Sequence, residues 1–203
     1  MQITIPQLSL VVLVGPSGCG KSTFARTHFA PFETLSSDFC RGLVSNSEND
    51  QSATDDAFEM LHAIAAKRLA RGLLTVIDAT NVQPEARRPL VALARRFHVL
   101  PVAIVLDLPE RVCAARNATR PDRDFGEHVL RRQVANLHRS MRGLAKDGFR
   151  HVHVLRSEDD VAAVSIVRQR LWNDRAPTCE PLGREARFPE IFWKQASPSH
   201  AFI

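Results

Sequence analysis

No apolar run in the 203-residue chain approaches the ~20 residues that a membrane helix requires, so no membrane partner is expected. The N-terminus carries neither a charged n-region nor a cleavage site, and its apolar stretch runs straight into a glycine-rich loop. The four cysteines, Cys19, Cys40, Cys113 and Cys179, form no C-x-x-C pair and no metal-ligand spacing. A reduced, cytoplasmic protein is the expectation, with Cys19 and Cys40 read as small filler thiols. Repeats and low-complexity segments are absent, and no aromatic stacking motif or 2′-hydroxyl reader is identifiable. The glycine-rich loop of protein kinases and the H-R-D triplet are both missing, which excludes a protein kinase. What remains is an ordinary globular composition, 44% hydrophobic and 24% charged, long enough for a sizeable core.

The stretch that organises the chain is Gly15-Pro16-Ser17-Gly18-Cys19-Gly20-Lys21-Ser22, followed by Thr23. It fits G-x-x-x-x-G-K-[ST] and has the right setting. An apolar run, Leu8 to Val14, enters it as a buried strand, and Lys21 to His28 leaves it as a helix. Successive backbone N–H groups of such a loop form a concavity for polyphosphate oxygens at the positive end of the helix. Lys21 is placed to reach the β- and γ-phosphates of ATP or another nucleoside triphosphate, and Ser22 to ligate Mg²⁺.

Downstream, strand and helix patterns alternate, which predicts an α/β fold: a parallel sheet covered by helices on both faces. Expected strands are Glu33 to Ser36, Leu73 to Ile77, Val99 to Leu106 and Val152 to Leu155. Expected helices run from about Asp55 to Arg71, Pro84 to Phe97, Pro109 to about Arg120, Gly126 to Ala145 and Val161 to Leu171, with Gly42 to Gln51 as a loop. One domain over 1–175 is expected, with a helical lid at about 109–146 and a proline-interrupted tail of uncertain order at 176–203. Residues 109–146 hold nine Arg/Lys against four acids, an excess equal to the +5 of the whole chain. Such a segment suits a polyanion; for Arg131, Arg132 and Lys146 a solvated helix face is the simpler reading.

Three features converge where ligands bind in open α/β sheets, beyond the carboxyl ends of the strands. In Ser36-Ser37-Asp38-Phe39-Cys40-Arg41, Asp38 can accept a proton from an attacking hydroxyl or hold Mg²⁺-bound water, and Arg41 can orient it or hold an anionic acceptor. An Asp at this position is also a common helix N-cap. In Thr75-Val76-Ile77-Asp78, an apolar strand ending in Asp fits a Mg²⁺ partner. Arg116 and Arg120 share a helix face at i,i+4, with Arg123 across a proline turn, as in a lid closing over phosphates.

These residues resemble the kinase module of bacterial polynucleotide kinase–phosphatases over roughly 8–175. The resemblance rests on the P-loop, on Ser36 to Leu43, Glu48-Asn49-Asp50-Gln51 and Val76 to Asn81, and on Leu108-Pro109-Glu110, Arg116-Asn117, Gly148-Phe149-Arg150 and Leu171-Trp172-Asn173-Asp174. It implies an adenylate-kinase-like phosphotransferase that phosphorylates 5′-OH ends of RNA or DNA in nucleic-acid repair. By position it implies phosphate and Mg²⁺ contacts from Gly15, Ser17, Gly18, Cys19, Gly20, Lys21, Ser22 and Thr23. Asp38 would be the general base, Arg41 its partner, and Arg116, Arg120 and Arg123 the lid clamp. Residues 176–203 carry no G-D-x-H-G signature and do not resemble the family's junction with its phosphatase and ligase modules. Those modules are therefore not expected here, and the family's homodimer and methyltransferase partner stay open. Two other readings also stay open: a small-molecule kinase for a sugar, nucleoside or antibiotic hydroxyl, and a non-enzymatic nucleotide switch.

Overall fold

A computed structural model of the chain describes residues 1–119 and 126–170. Among these, Met1 to residue 170 lie in a first compact unit; the second unit, Trp172–Ile203, holds the expected tail and falls outside the described residues. The central sheet has five parallel strands, β2 (Ser9–Val14), β3 (Thr34–Ser36), β4 (Thr75–Asp78), β5 (Leu100–Leu106) and β6 (His151–Leu155), in the order β3-β4-β2-β5-β6. As parallel strands buried on both faces require, β2 is apolar after Ser9 and wholly buried. Its side chains alternate between two cores. Leu10, Val12 and Val14 join Leu61, Ala65 and Leu69 of α3 (Thr54–Ala70), and Leu90 and Val91 of α4 (Pro84–Arg96). Val11 and Leu13 join Phe24 of α1 (Lys21–His28) and Cys113 of α5 (Glu110–Ala118) on the other face. Each fully buried Leu or Ile contributes about 1.5–3 kcal/mol, so the sheet is clamped from both sides.

Three sequence expectations are corrected, and one strand pair is added that the sequence reading did not contain. Gln2–Pro6 forms a strand, β1, which pairs in parallel with β7 (Ser165–Gln169) in a separate two-stranded sheet. That strand replaces most of the helix expected at Val161 to Leu171. A capping box at Ser157 and Asp160 starts the short α8 (Glu158–Ala163) earlier, and Ile166 and Val167, both β-branched, then pair with β1. Residues 37–45, expected as a strand end and a loop, form α2 (Ser37–Ser45). The helix expected from Gly126 to Ala145 is divided into α6 (Glu127–Met141) and α7 (Leu144–Asp147) at Arg142-Gly143. The stretch 120–125 lies outside the described residues, so the lid arginines Arg120 and Arg123 do too.

Candidate active site

Register brings the site together. Asp78 pairs with Leu13 of β2 and with Ser36 of β3, so the P-loop, Asp78 and the start of α2 leave the sheet side by side. The Gly15 amide donates to the Thr80 carbonyl at 3.0 Å, and Asn81 Nδ2 donates to the Leu13 carbonyl at 2.9 Å. Two cross-links thus tie the P-loop to the turn after β4.

Gly18 and Gly20 have φ of +78° and +94°, a region that L side chains rarely adopt. A Cβ on Gly18 would stand 2.3 Å from the Cys113 carbonyl oxygen, so the loop packs directly against α5. Ser17 continues that contact: its hydroxyl donates to Asn117 Oδ1 at 3.2 Å and its amide to Gln133 Oε1 at 2.7 Å. Sequence reading missed Gln133, which lies 116 residues away on α6. Cys19 is fully buried, its sulfur 3.7 Å from Lys21 Nζ. Burial, with Cys19 close by, pushes the Cys113 thiol up to about 12, so it stays protonated.

Lys21 Nζ donates to the carbonyls of Gly15 (2.9 Å) and Pro16 (2.8 Å), so its charge is held inside the loop's concavity. Beside it is a small cavity of about 40 Å³, lined by Gly18, Gly20, Ser22, Asp38, Asp78 and Thr80 among others. Backbone amides, a lysine, a serine hydroxyl and two carboxylates are the donor set that a triphosphate and Mg²⁺ require, and the residues fit that group. Thr23 is exposed on α1, its hydroxyl 3.5 Å from Arg26 Nη2, and does not line this cavity. Arg116 stands next to it: its Nη1 would be 3.2 Å from a Cβ on Gly20, and its Nη2 donates to Glu158 of α8.

Asp38 is not a cap. The N-cap of α2 is Ser36, whose hydroxyl accepts from the Phe39 amide at 3.3 Å. Asp38 sits in the first turn, where the helix dipole favours a carboxylate. One turn on, Arg41 Nη1 donates to Asp38 Oδ1 at 2.9 Å and to the Glu48 carbonyl at 2.7 Å. Arg41 is buried, and its Nε has no hydrogen-bond partner. Beyond this pair opens a cleft of about 410 Å³, lined by Asp38, Arg41, Gln51, Phe58, Arg132 and Asn136 among others. Asp38 borders both spaces.

The family model AAA_33, an AAA domain, matches residues 10–144. The chain belongs to that family. In structure it is similar to a chain of the Pnkp1/Rnl/Hen1 RNA repair complex, with a TM-score of 0.60 and 22% identity. The likeness covers 69% of this chain and 47% of that one. It is also similar to a chain of the PezAT toxin–antitoxin system of Streptococcus pneumoniae, with a TM-score of 0.55 and 15% identity over 76% of this chain and 70% of that one. In sequence it is 32% identical over 112 residues to transcription factor bHLH140 of Arabidopsis thaliana, which covers 55% of this chain and 11% of the relative. The chain thus spans about a tenth of that relative's length and about half of the repair-complex chain. The five-stranded parallel sheet, its covering helices and the P-loop make this a P-loop kinase fold, which implies nucleotide binding. Among the described residues, no helix is long and apolar enough to cross a membrane.

Proposed function

We propose that the protein is an ATP-dependent 5′-hydroxyl polynucleotide kinase. The observation that carries this reading is Asp38, fixed by Arg41 at 2.9 Å on the boundary between the cavity beside the P-loop and the larger cleft. A hydroxyl presented from the cleft meets Asp38 on its way to the donor side, as a general base requires. The fold's likeness to a chain of an RNA repair complex supports a nucleic-acid end as the acceptor.

Bound at the P-loop, ATP would give up its γ-phosphoryl group: the bond to the acceptor oxygen forms as the bond to the β–γ bridging oxygen breaks, ADP leaves, and Mg²⁺ would offset the charge. Ser22 and Asp78 would hold the metal. Lys21 exchanges the Gly15 and Pro16 carbonyls for phosphate oxygens. Asp38 takes the proton of the attacking hydroxyl, with Arg41 fixing its orientation and facing the acceptor's phosphate. Arg116 adds a planar cation beside Gly20.

A cleft of about 410 Å³ would also seat a small hydroxyl acceptor such as a sugar or nucleoside. The deciding assay is transfer of labelled γ-phosphate from ATP with Mg²⁺ to a 5′-OH oligoribonucleotide, a 5′-OH oligodeoxynucleotide or a panel of small alcohols. Label on an oligonucleotide 5′ end, reduced about 10²–10⁴-fold by Asp38→Ala, is the expected result. ATP binding with transfer only to small alcohols would overturn the reading.

A further inference from the structure

The cleft beside Asp38 does not end at Asn136. A second cleft, of about 350 Å³, is lined by Val82, Gln83, Glu85, Asn136, Arg139 and Ser140. Val82, Gln83 and Asn136 line both, so the two are neighbours along one groove between α6 and the turn that starts α4. Arg132, Asn136 and Arg139 stand at i, i+4 and i+7 of α6, hence on one face of the helix. From Arg132 to Arg139 that face runs about 10 Å along the axis.

The arginines of α6 are of two kinds. Arg131, directed elsewhere, is held by Glu110 at 3.4 Å and Glu127 at 2.9 Å. Arg132 and Arg139 are exposed and have no ion-pair partner among the described residues. An aligned pair of permanent cations without counter-charges, lining a groove that leads away from the reacting position, is suited to a backbone carrying repeated negative charge. Glu85 on the α4 wall of the second cleft would repel such a backbone toward the arginine wall.

We propose that this α6 face is the track for the acceptor strand, with Arg132 and Arg139 contacting phosphates 3′ of the reacting nucleotide and Asn136 donating between them. The proposal rests on the polynucleotide reading and extends it: the acceptor is a single-stranded nucleic acid longer than one nucleotide, followed by its backbone and not by its base sequence. A mononucleotide would occupy the first cleft alone.

The test measures KM and kcat for a 5′-OH nucleoside 3′-phosphate and a 5′-OH decanucleotide over a series of salt concentrations. Wild type, Arg139→Ala and Arg131→Ala are compared. The decamer should have the lower KM with wild type. Arg139→Ala should raise that KM about fivefold and reduce its salt slope by about 1, leaving the mononucleotide KM and both kcat values in place. Arg131→Ala should change neither. Equal KM values for the two acceptors with wild type, or an Arg139→Ala effect absent, shared by the mononucleotide or matched by Arg131→Ala, would overturn the track and leave the kinase reading standing. Transfer to neither acceptor would overturn both.

Discussion

On the proposed donor side of Asp38 the lining comes mostly from one short stretch, Gly18, Gly20, Lys21 and Ser22, with Ser37 and with Asp78, Ala79 and Thr80 at the neighbouring strand end. On the proposed acceptor side it is drawn from α2, α3, the turn after β4, the start of α4 and α6, with Gln51 and with Ser17 of the P-loop. A backbone cradle is set by φ values and by close packing, so it depends on few residues. A cleft built from dispersed residues depends on how several elements are held relative to one another. Buried Arg87 of α4 does much of that holding. Its Nη2 and Nε meet Asp147 Oδ2 at 2.6 and 3.0 Å, while its Nη1 donates to the Asn81 carbonyl and to Ser140 of α6. Ser140 in turn donates to the Val82 carbonyl at 2.6 Å. This network ends on the wall of the larger cleft and meets the P-loop side only indirectly, through Asn81 Nδ2 on the Leu13 carbonyl.

The largest effect should therefore come from Asp147→Ala, which leaves the Arg87 charge buried and unpaired. Removing one partner of such a pair costs about 3–5 kcal/mol, readable by denaturant unfolding. In the folded fraction, acceptor KM should rise while ATP affinity holds; an equal loss of both would show that the two sides are not separable. A smaller effect, on the donor side, is expected from Glu158→Ala. The Arg116–Glu158 pair is 43% and 56% exposed, so its loss should cost under about 1 kcal/mol of stability. Titration calorimetry should then find ATP affinity changed by no more than a few-fold, with acceptor KM unchanged.

The smallest effect concerns pH. His62, on α3 behind Phe58 of the acceptor wall, has a buried Nε2 without a partner. Burial holds its pKa below the ordinary 6.5, so the unfolded chain binds that proton first. Stability present above pH 6.5 is lost as pH falls from 6.5 toward the lowered value. His28 and His153 shift the same way, chiefly through burial. His62→Gln should flatten, without abolishing, the fall in Tm between about pH 7.5 and about pH 5.5. An unchanged slope would place the proton uptake elsewhere.

Legibility in the sequence followed the range of the interactions. The strand–loop–helix at Leu8 to His28 was readable because apolar run, glycines and lysine are contiguous, and β4, α4 and β5 because their periodicity is unbroken. The parallel direction of the strands followed from that alternation; their order across the sheet did not. The pairing of β1 with β7 was not readable, since each is a short segment whose partner lies more than 150 residues away. Nor was α2: Ser36-Ser37-Asp38 reads equally as a strand end, and only packing against α3 and the Ser36 cap settle it as a helix.

What the sequence determined by itself is the P-loop with the strand that enters it and the helix that leaves it, because a P-loop is recognised by residues in immediate succession. The structure decided that Ser36 and not Asp38 caps α2, that Gln133 and Asn117 brace the loop, and that Arg132 and Arg139 line neighbouring clefts while Arg131 is paired. The Ser36 cap is local, but the other assignments turn on which faces of α5 and α6 meet the sheet, and side chains far apart in the chain become neighbours only when the core closes.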